Sequence, residues 1–210
     1  MRVAILGGTG SFGLALAARL AAGGADEVVI GSRDPGRARA AAAGVGGGAS
    51  GAANEDAVRC ADLAVLAVKA EAALETARAI APALGETPLL SVASALSFGR
   101  DGVRPDPDAR SLAERVQDLV SAPVAAGLHS IAAANLGEAP PDEDALVCGD
   151  DPAAKALALE LAGRVVAGRA LDAGPLASAR TLEGLTAVIV NLNRRYRAHA
   201  GVRVTGIRET

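Results

Sequence analysis

The run Gly8-Thr9-Gly10-Ser11-Phe12-Gly13 lies between an apolar stretch, Val3 to Leu6, and a helical stretch, Leu14 to Ala22. Glycines at this spacing, between a strand and a helix, suit a pyrophosphate. Gly8 lets the chain turn tightly, Gly10 lets the phosphates approach the main chain, and Gly13 lets helix and strand pack closely. The diphosphate then rests on the free N–H groups of the helix N-terminus. In a chain with 25 glycines, a tight turn without a ligand is the competing reading.

A second cluster narrows the choice of dinucleotide. A cofactor without a 2′-phosphate calls for an acid at the end of the second strand. Here that strand ends Ile30-Gly31-Ser32-Arg33, with Arg37 in the next helical turn. A hydroxyl and two guanidinium groups suit a phosphate dianion, because arginine offers a planar fork of charge-assisted donors. The pattern predicts NADP(H). The alternative is that Arg33 and Arg37 are a solvated helix face, and Asp34 reads as a helix cap.

Other reactive side chains form no obvious set. Cys60, Cys148, His129 and His199 do not make a zinc pattern, and two cysteines do not make a disulfide framework. Cys148 reads as a loop-shaping residue before Asp150 and Asp151, which would cap a helix near Pro152. His129 lies at the end of an apolar strand, on the side of a sheet where ligands bind. It either donates to a ligand carbonyl or is satisfied by backbone. Asn191 and Asn193 on the last helix would need a partner if they face inward.

The elements that must position these residues alternate. Apolar runs at 3–6, 28–30, 62–68, 88–92 and 123–128 read as strands, interleaved with helices at 14–22, from 34, 70–84 and 109–120. Strands apolar on both faces predict an α/β fold, a Rossmann-type doubly wound parallel sheet covered on both sides. Residues 44–51 and 94–108 read as loops. A strand at 146–148, a helix at 152–166, a strand at 169–171 and a long helix at 176–196 follow. We expect an NADP-binding domain at 1–145 and a smaller C-terminal α/β lobe at 146–210.

Composition excludes some functions. The chain has two Phe, one Tyr and no Trp, too few rings for a base-stacking nucleic-acid platform. A net charge of −3 gives no pull toward phosphate polymers. No apolar run reaches the length of a membrane span, and we expect no leader ahead of the first strand. The expectation is a cytoplasmic protein that binds neither nucleic acid nor membrane.

With these motifs in place, the sequence resembles the NADPH-dependent coenzyme F420 reductases (F420H2:NADP oxidoreductases). The resemblance rests on MRVAILGGTGSFG with GSRDPGR, then ADLAVLAV (61–68), GLHSIAAA (127–134), VCGDD (147–151), LDAGPL (171–176) and LEGLTAVIVNLN (182–193). It implies a homodimer with the deazaflavin F420 stacked over the nicotinamide in a cleft closed by the last helix. By motif match, Thr9, Gly10, Ser11 and Phe12 would touch the pyrophosphate, and Ser32, Arg33 and Arg37 the 2′-phosphate. Val68, Ser94 and Ala133 would line the ribose and nicotinamide end. His129, Ser130, Ile131 and Asn193 would form the F420 pocket.

The resemblance implies hydride transfer between NADP(H) and F420. The cofactors carry that chemistry, so no catalytic side chain and no metal are expected. The protein's task is to hold the reacting carbons about 3–3.5 Å apart. The sequence departs from the family near the second substrate. The family's Pro-Trp-Glu-His after the 63–68 strand is here Lys69-Ala70-Glu71-Ala72. Prolines that usually follow Ser91 are replaced by Val92-Ala93-Ser94-Ala95, and Arg194-Arg195-Tyr196-Arg197 is unusually basic. The alternatives are an NADP-dependent reductase of another ketone, imine or flavin, or a non-catalytic NADP-binding protein.

Overall fold

The computed structural model describes residues 1–23, 27–137 and 139–207. The first half alternates strand and helix: β1 (Arg2–Leu6), α1 (Ser11–Ala22), β2 (Glu27–Ser32), α2 (Pro35–Val45), β3 (Ser50–Ala53), α3 (Asn54–Val58), β4 (Leu63–Leu66), α4 (Ala70–Leu84) and β5 (Leu89–Ser91). A hairpin follows, β6 (Leu96–Gly99) and β7 (Gly102–Pro105), then α5 (Leu112–Gln117) and β8 (Val124–Gly127). The chain continues through β9 (Ala145–Gly149), α6 (Pro152–Val165) and β10 (Ala170–Asp172) to the long helix α7 (Ala179–Tyr196).

Eight strands form one sheet in the order β10-β9-β8-β5-β4-β1-β2-β3. The six strands from β3 to β8 pair in parallel. β9 runs antiparallel to β8, and β10 runs parallel to β9. Side chains alternate between the two faces of the sheet. Val3 and Ile5 join a core with α1 and α6, while Ala4 and Leu6 join another with α4 and α5. Ala, Val, Leu and Ile fill both cores.

The boundary expected at 145/146 meets β9 at its first residue. β9 and β10 extend the same sheet, and α6 shares a core with α1. Two segments read as loops hold strands. Residues 50–53 form the edge strand β3, so close to α2 that a Cβ on Gly51 would lie 2.3 Å from the Ala38 carbonyl carbon. Residues 96–105 form the hairpin β6–β7, whose strands are mostly exposed and so lack an apolar signal. The helix expected at 109–120 is only six residues long, started by a capping box between Ser111 and Glu114. Among the described residues, no helix is long and apolar enough to cross a membrane.

Candidate functional site

The glycine run turns where β1 ends. The left-handed backbone that needs glycine falls on Gly7 (φ +72), not on Gly8, where the sequence reading places the turn. Gly8 is required for packing instead: a Cβ there would lie 2.8 Å from the Ile5 carbonyl oxygen and 2.9 Å from Ile30 Cγ2. Gly13 is closer still, with a Cβ 2.7 Å from Gly8 Cα, so α1 can approach β1 only without a side chain. Gly10 differs from both. Its nearest neighbour for a Cβ is the Gly7 oxygen at 3.3 Å, and the residue is exposed. The fold tolerates a side chain at Gly10 far better than at Gly8 or Gly13.

The start of α1 is open. Gly10 is the N-cap, no side chain caps the helix, and no acidic residue lies in the first turn. By contrast, α2, α5 and α6 are capped by Asp34, Ser111 and Asp151. The first N–H groups of α1 therefore remain available to an anion.

These residues border a cavity of about 440 Å³. Thr9, Gly10, Ser11 and Phe12 form one wall, and Ser32, Arg33 and Arg37 another; Val68 also lines it. The guanidinium groups of Arg33 and Arg37 make no hydrogen bond or ion pair among the described residues. Asp34 accepts from the N–H groups of Gly36 (2.8 Å) and Arg37 (3.2 Å), which confirms its capping role. The Ser32 hydroxyl accepts from the Asp34 N–H at 3.2 Å, which leaves its own proton to donate. Asn54 and Thr76, which sequence reasoning missed, also line the cavity. The N-cap of α3 is Ala53, and Asn54 is buried with Oδ1 unpartnered. An apolar β2 followed by a lone Asn after a weak edge strand was the available signal.

A second cavity, about 410 Å³, adjoins the first. Val68 and Lys69 line both, so the two form one groove across the carboxyl ends of the parallel strands. Ser94, Leu96 and Phe98 form its far side. Ser94, expected at the ribose and nicotinamide end, lines this second cavity and not the first, with its hydroxyl 2.7 Å from that of Thr186 on α7. Thr186 also donates to the His129 carbonyl oxygen at 2.8 Å.

The remaining expected residues stand apart from these cavity walls. His129 and Ser130 are buried beyond β8, after Leu128 in a left-handed conformation (φ 62). Among the described residues, the Ser130 hydroxyl and both His129 ring nitrogens find no partner of good hydrogen-bonding geometry. Burial pushes the imidazole down to about 4, and the nearby Ala93 backbone only partly offsets this. His129 is therefore neutral at pH 7. Ile131 belongs to the core with α1, and Ala133 lies in a short 3-10 turn packed against α1. Asn193 accepts from the Ala200 N–H at 2.6 Å, where the chain leaves α7 through Arg197 (φ 51). Burial pushes the Cys148 thiol up to about 12, which excludes a thiolate nucleophile at neutral pH.

α7 fixes the far side of the groove. Asn191 accepts from the Val103 N–H (2.8 Å) and donates to its carbonyl (2.7 Å), clamping β7 like a neighbouring strand. Glu183 accepts from the N–H groups of Leu112 (2.7 Å) and Ala113 (3.3 Å) at the start of α5. Burial pushes its carboxyl up to about 7, against those N–H groups, the Ala95 backbone and Arg180.

An open helix start after a glycine turn, with two unpaired guanidinium groups beyond the next strand, defines a Rossmann-type dinucleotide-binding protein. The comparisons narrow the class. The family model described as NADP oxidoreductase, coenzyme F420-dependent, matches residues 2–95. An F420-dependent NADP reductase of Methanothermobacter marburgensis is 36% identical, with both chains covered in full. One of Methanocaldococcus jannaschii is 32% identical over 99% of each chain. A crystal structure of a protein from Arthrobacter sp. FB24, assigned as an F420-dependent NADP reductase, superposes with a TM-score of 0.83. It is 28% identical, over 98% of this chain and 100% of that one. This chain belongs to the F420-dependent NADP reductase family.

Proposed function

We propose that this chain is an NADP:F420 oxidoreductase, with NADP(H) along the first cavity and F420 at the second. The observation that carries the reading is the joined groove. A phosphate cradle and a second cavity meet at Val68 and Lys69, in a chain matched end to end by F420-dependent NADP reductases.

The first turn of α1 binds the diphosphate through main-chain N–H groups, and the bare Cα of Gly10 lets it approach. Arg33, Arg37 and the Ser32 hydroxyl hold the 2′-phosphate. Asn54 lines the same cavity, with its Oδ1 buried beside Gly31. Once both cofactors are bound, a hydride passes directly between the nicotinamide and deazaflavin rings. The protein holds the two rings together and keeps water out with Val68 and Leu96. His129, neutral and buried, supports the Thr186–Ser94 contact through its main-chain oxygen rather than by proton transfer.

We place the closing function in the residues beyond 146, through α7. A homodimer contact fits its outward stripe of Val188, Leu192 and Tyr196, three exposed apolar residues spaced by four. Sedimentation of the purified protein tests this, with a single species of one-chain mass as the opposing result. We expect a cytoplasmic enzyme that does not bind nucleic acid.

The direct test is to mix the protein with NADPH and oxidised F420 and follow the deazaflavin absorbance. It should bleach with NADPH and far more slowly with NADH. Tight NADPH binding without bleaching would overturn hydride transfer to F420 and leave a reductase of another ketone, imine or flavin, or a non-catalytic NADP-binding protein.

A further inference from the structure

Phe98 is the residue whose placement the fold does not explain. It is 67% exposed, on a hairpin whose strands contribute little to the core. Large apolar rings are scarce here: the chain has two phenylalanines, and both line the groove, Phe12 at the first cavity and Phe98 at the second. Phe12 also packs on the core, whereas Phe98 stands at the rim.

The ring is nevertheless held. In the β6–β7 register Phe98 pairs with Val103, the residue whose N–H and C=O are both bonded by Asn191. The hairpin is thus pinned to α7 at the rung that carries the ring. Arg194, one helical turn below Asn191, sets its guanidinium over Phe98, 5.7 Å from the ring centroid. A ring kept in water, fixed on a clamped rung and covered on one face by a cation, is pre-organised for a flat ligand on its other face.

We propose that Phe98 is a binding and specificity residue for the second substrate, a platform on which the tricyclic deazaflavin stacks as it enters the cavity bounded by Val68, Ser94 and Leu96. The claim rests on the F420 reading above. The nicotinamide dinucleotide is gripped at its other end, so Phe98 acts on F420 alone.

The test compares Phe98→Ala, Phe98→Leu and Phe98→Tyr with the wild type. Oxidised F420 is titrated against each NADP+-loaded protein by deazaflavin fluorescence, and KM is measured for both substrates. Phe98→Ala should weaken F420 about three- to tenfold in Kd and KM, as expected for one lost stacking contact, with KM for NADPH unchanged. Tyr should restore wild-type affinity and Leu should not. A deazaflavin lacking the phosphate and glutamate tail should lose affinity by the same factor. Unchanged F420 affinity in Phe98→Ala would overturn the proposal, as would Leu matching Tyr, which would mean apolar bulk alone. Melting temperatures control for folding, which an exposed ring should hardly affect. If the wild type neither binds nor bleaches F420, the parent reading falls and takes this one with it. If the wild type is active and Phe98→Ala is indistinguishable from it, only this proposal falls.

Discussion

The two ends of the groove are built differently. The nucleotide end comes from two short runs, 7–13 and 32–37, plus Val68, Asn54 and Thr76. Its key parts are main-chain N–H groups and the absence of a side chain at Gly10. The other end depends on contacts between distant residues: Ser94 with Thr186, Val103 with Asn191, Leu112 with Glu183 and His129 with Thr186. Local geometry at the junctions of β1, α1, β2 and α2 shapes the two main walls of the first end. The second exists only when α7 is docked. Substitutions can therefore alter the second substrate while leaving the dinucleotide end intact.

The largest expected effect separates fold from ligand within one motif. Gly13→Val puts a side chain against the Gly8 backbone and should destabilise the protein by about 1–3 kcal/mol or more, since neither segment can retreat. Gly10→Val should melt close to the wild type yet fail to bind NADPH. Calorimetric titration and thermal melts check both, and equal melting losses would erase the distinction. Next comes Arg33→Ala. It should cost NADPH about 1.5–3 kcal/mol, the value of a charge-assisted contact, and leave NADH affinity unchanged. Equal losses for both would remove the 2′-phosphate from Arg33.

The same division governed what the sequence disclosed. The glycine run, the Arg pair and the Asp34 cap were legible because each is a local pattern with a local cause. Their setting, α1 between apolar strands, was legible because buried parallel strands are apolar on both faces. The hairpin at 96–105 was not, since its strands are exposed and its clamp, Asn191, lies far along the chain. The roles of Thr186 and Glu183 were hidden for the same reason: nothing near either residue names its partner. Even within the motif, the positive φ falls on Gly7 rather than Gly8, whose N–H is bonded to the Ile5 and Gly31 carbonyls.

A smaller effect sharpens the picture of the α7 end. Asn191→Ala removes two hydrogen bonds to Val103 and should cost about 1–2 kcal/mol. Freed from α7, the hairpin should raise KM for F420 with little change in KM for NADPH. Asn193→Ala serves as the contrast. Its Oδ1 bonds the Ala200 N–H, so a purely terminal role predicts a small stability loss and no change in either KM. A rise in KM for F420 with Asn193→Ala would place that side chain in the pocket after all.

In the wild type the smallest net effect is a pH dependence in which two buried groups oppose and largely cancel each other between pH 4.5 and 6.5. Glu183 titrates near 7 in the folded chain, raised by burial from its ordinary 4.5. Between those values the native state holds a proton that the unfolded state has released. Its contribution to stability is complete below about pH 4.5 and lost as pH rises through 7. His129 is lowered from 6.5 to about 4, so only the unfolded state takes up a proton between those values. Its contribution is complete above pH 6.5 and lost as pH falls through 4. Glu143, also raised by burial, shares the sign of Glu183, while Asp144 is held low by Arg169 and titrates below both windows. Urea midpoints measured from pH 4 to 8 should therefore separate the two. The difference between Glu183→Gln and wild type should shift in favour of the variant as pH rises from 4.5 to 7. The difference for His129→Asn should shift in favour of the variant as pH falls from 6.5 to 4. A pH-independent difference for Glu183→Gln would mean that its carboxyl is not raised and that the N–H groups of Leu112 and Ala113 outweigh its burial, so that α7 stays anchored to α5 by a charged cap across the whole range.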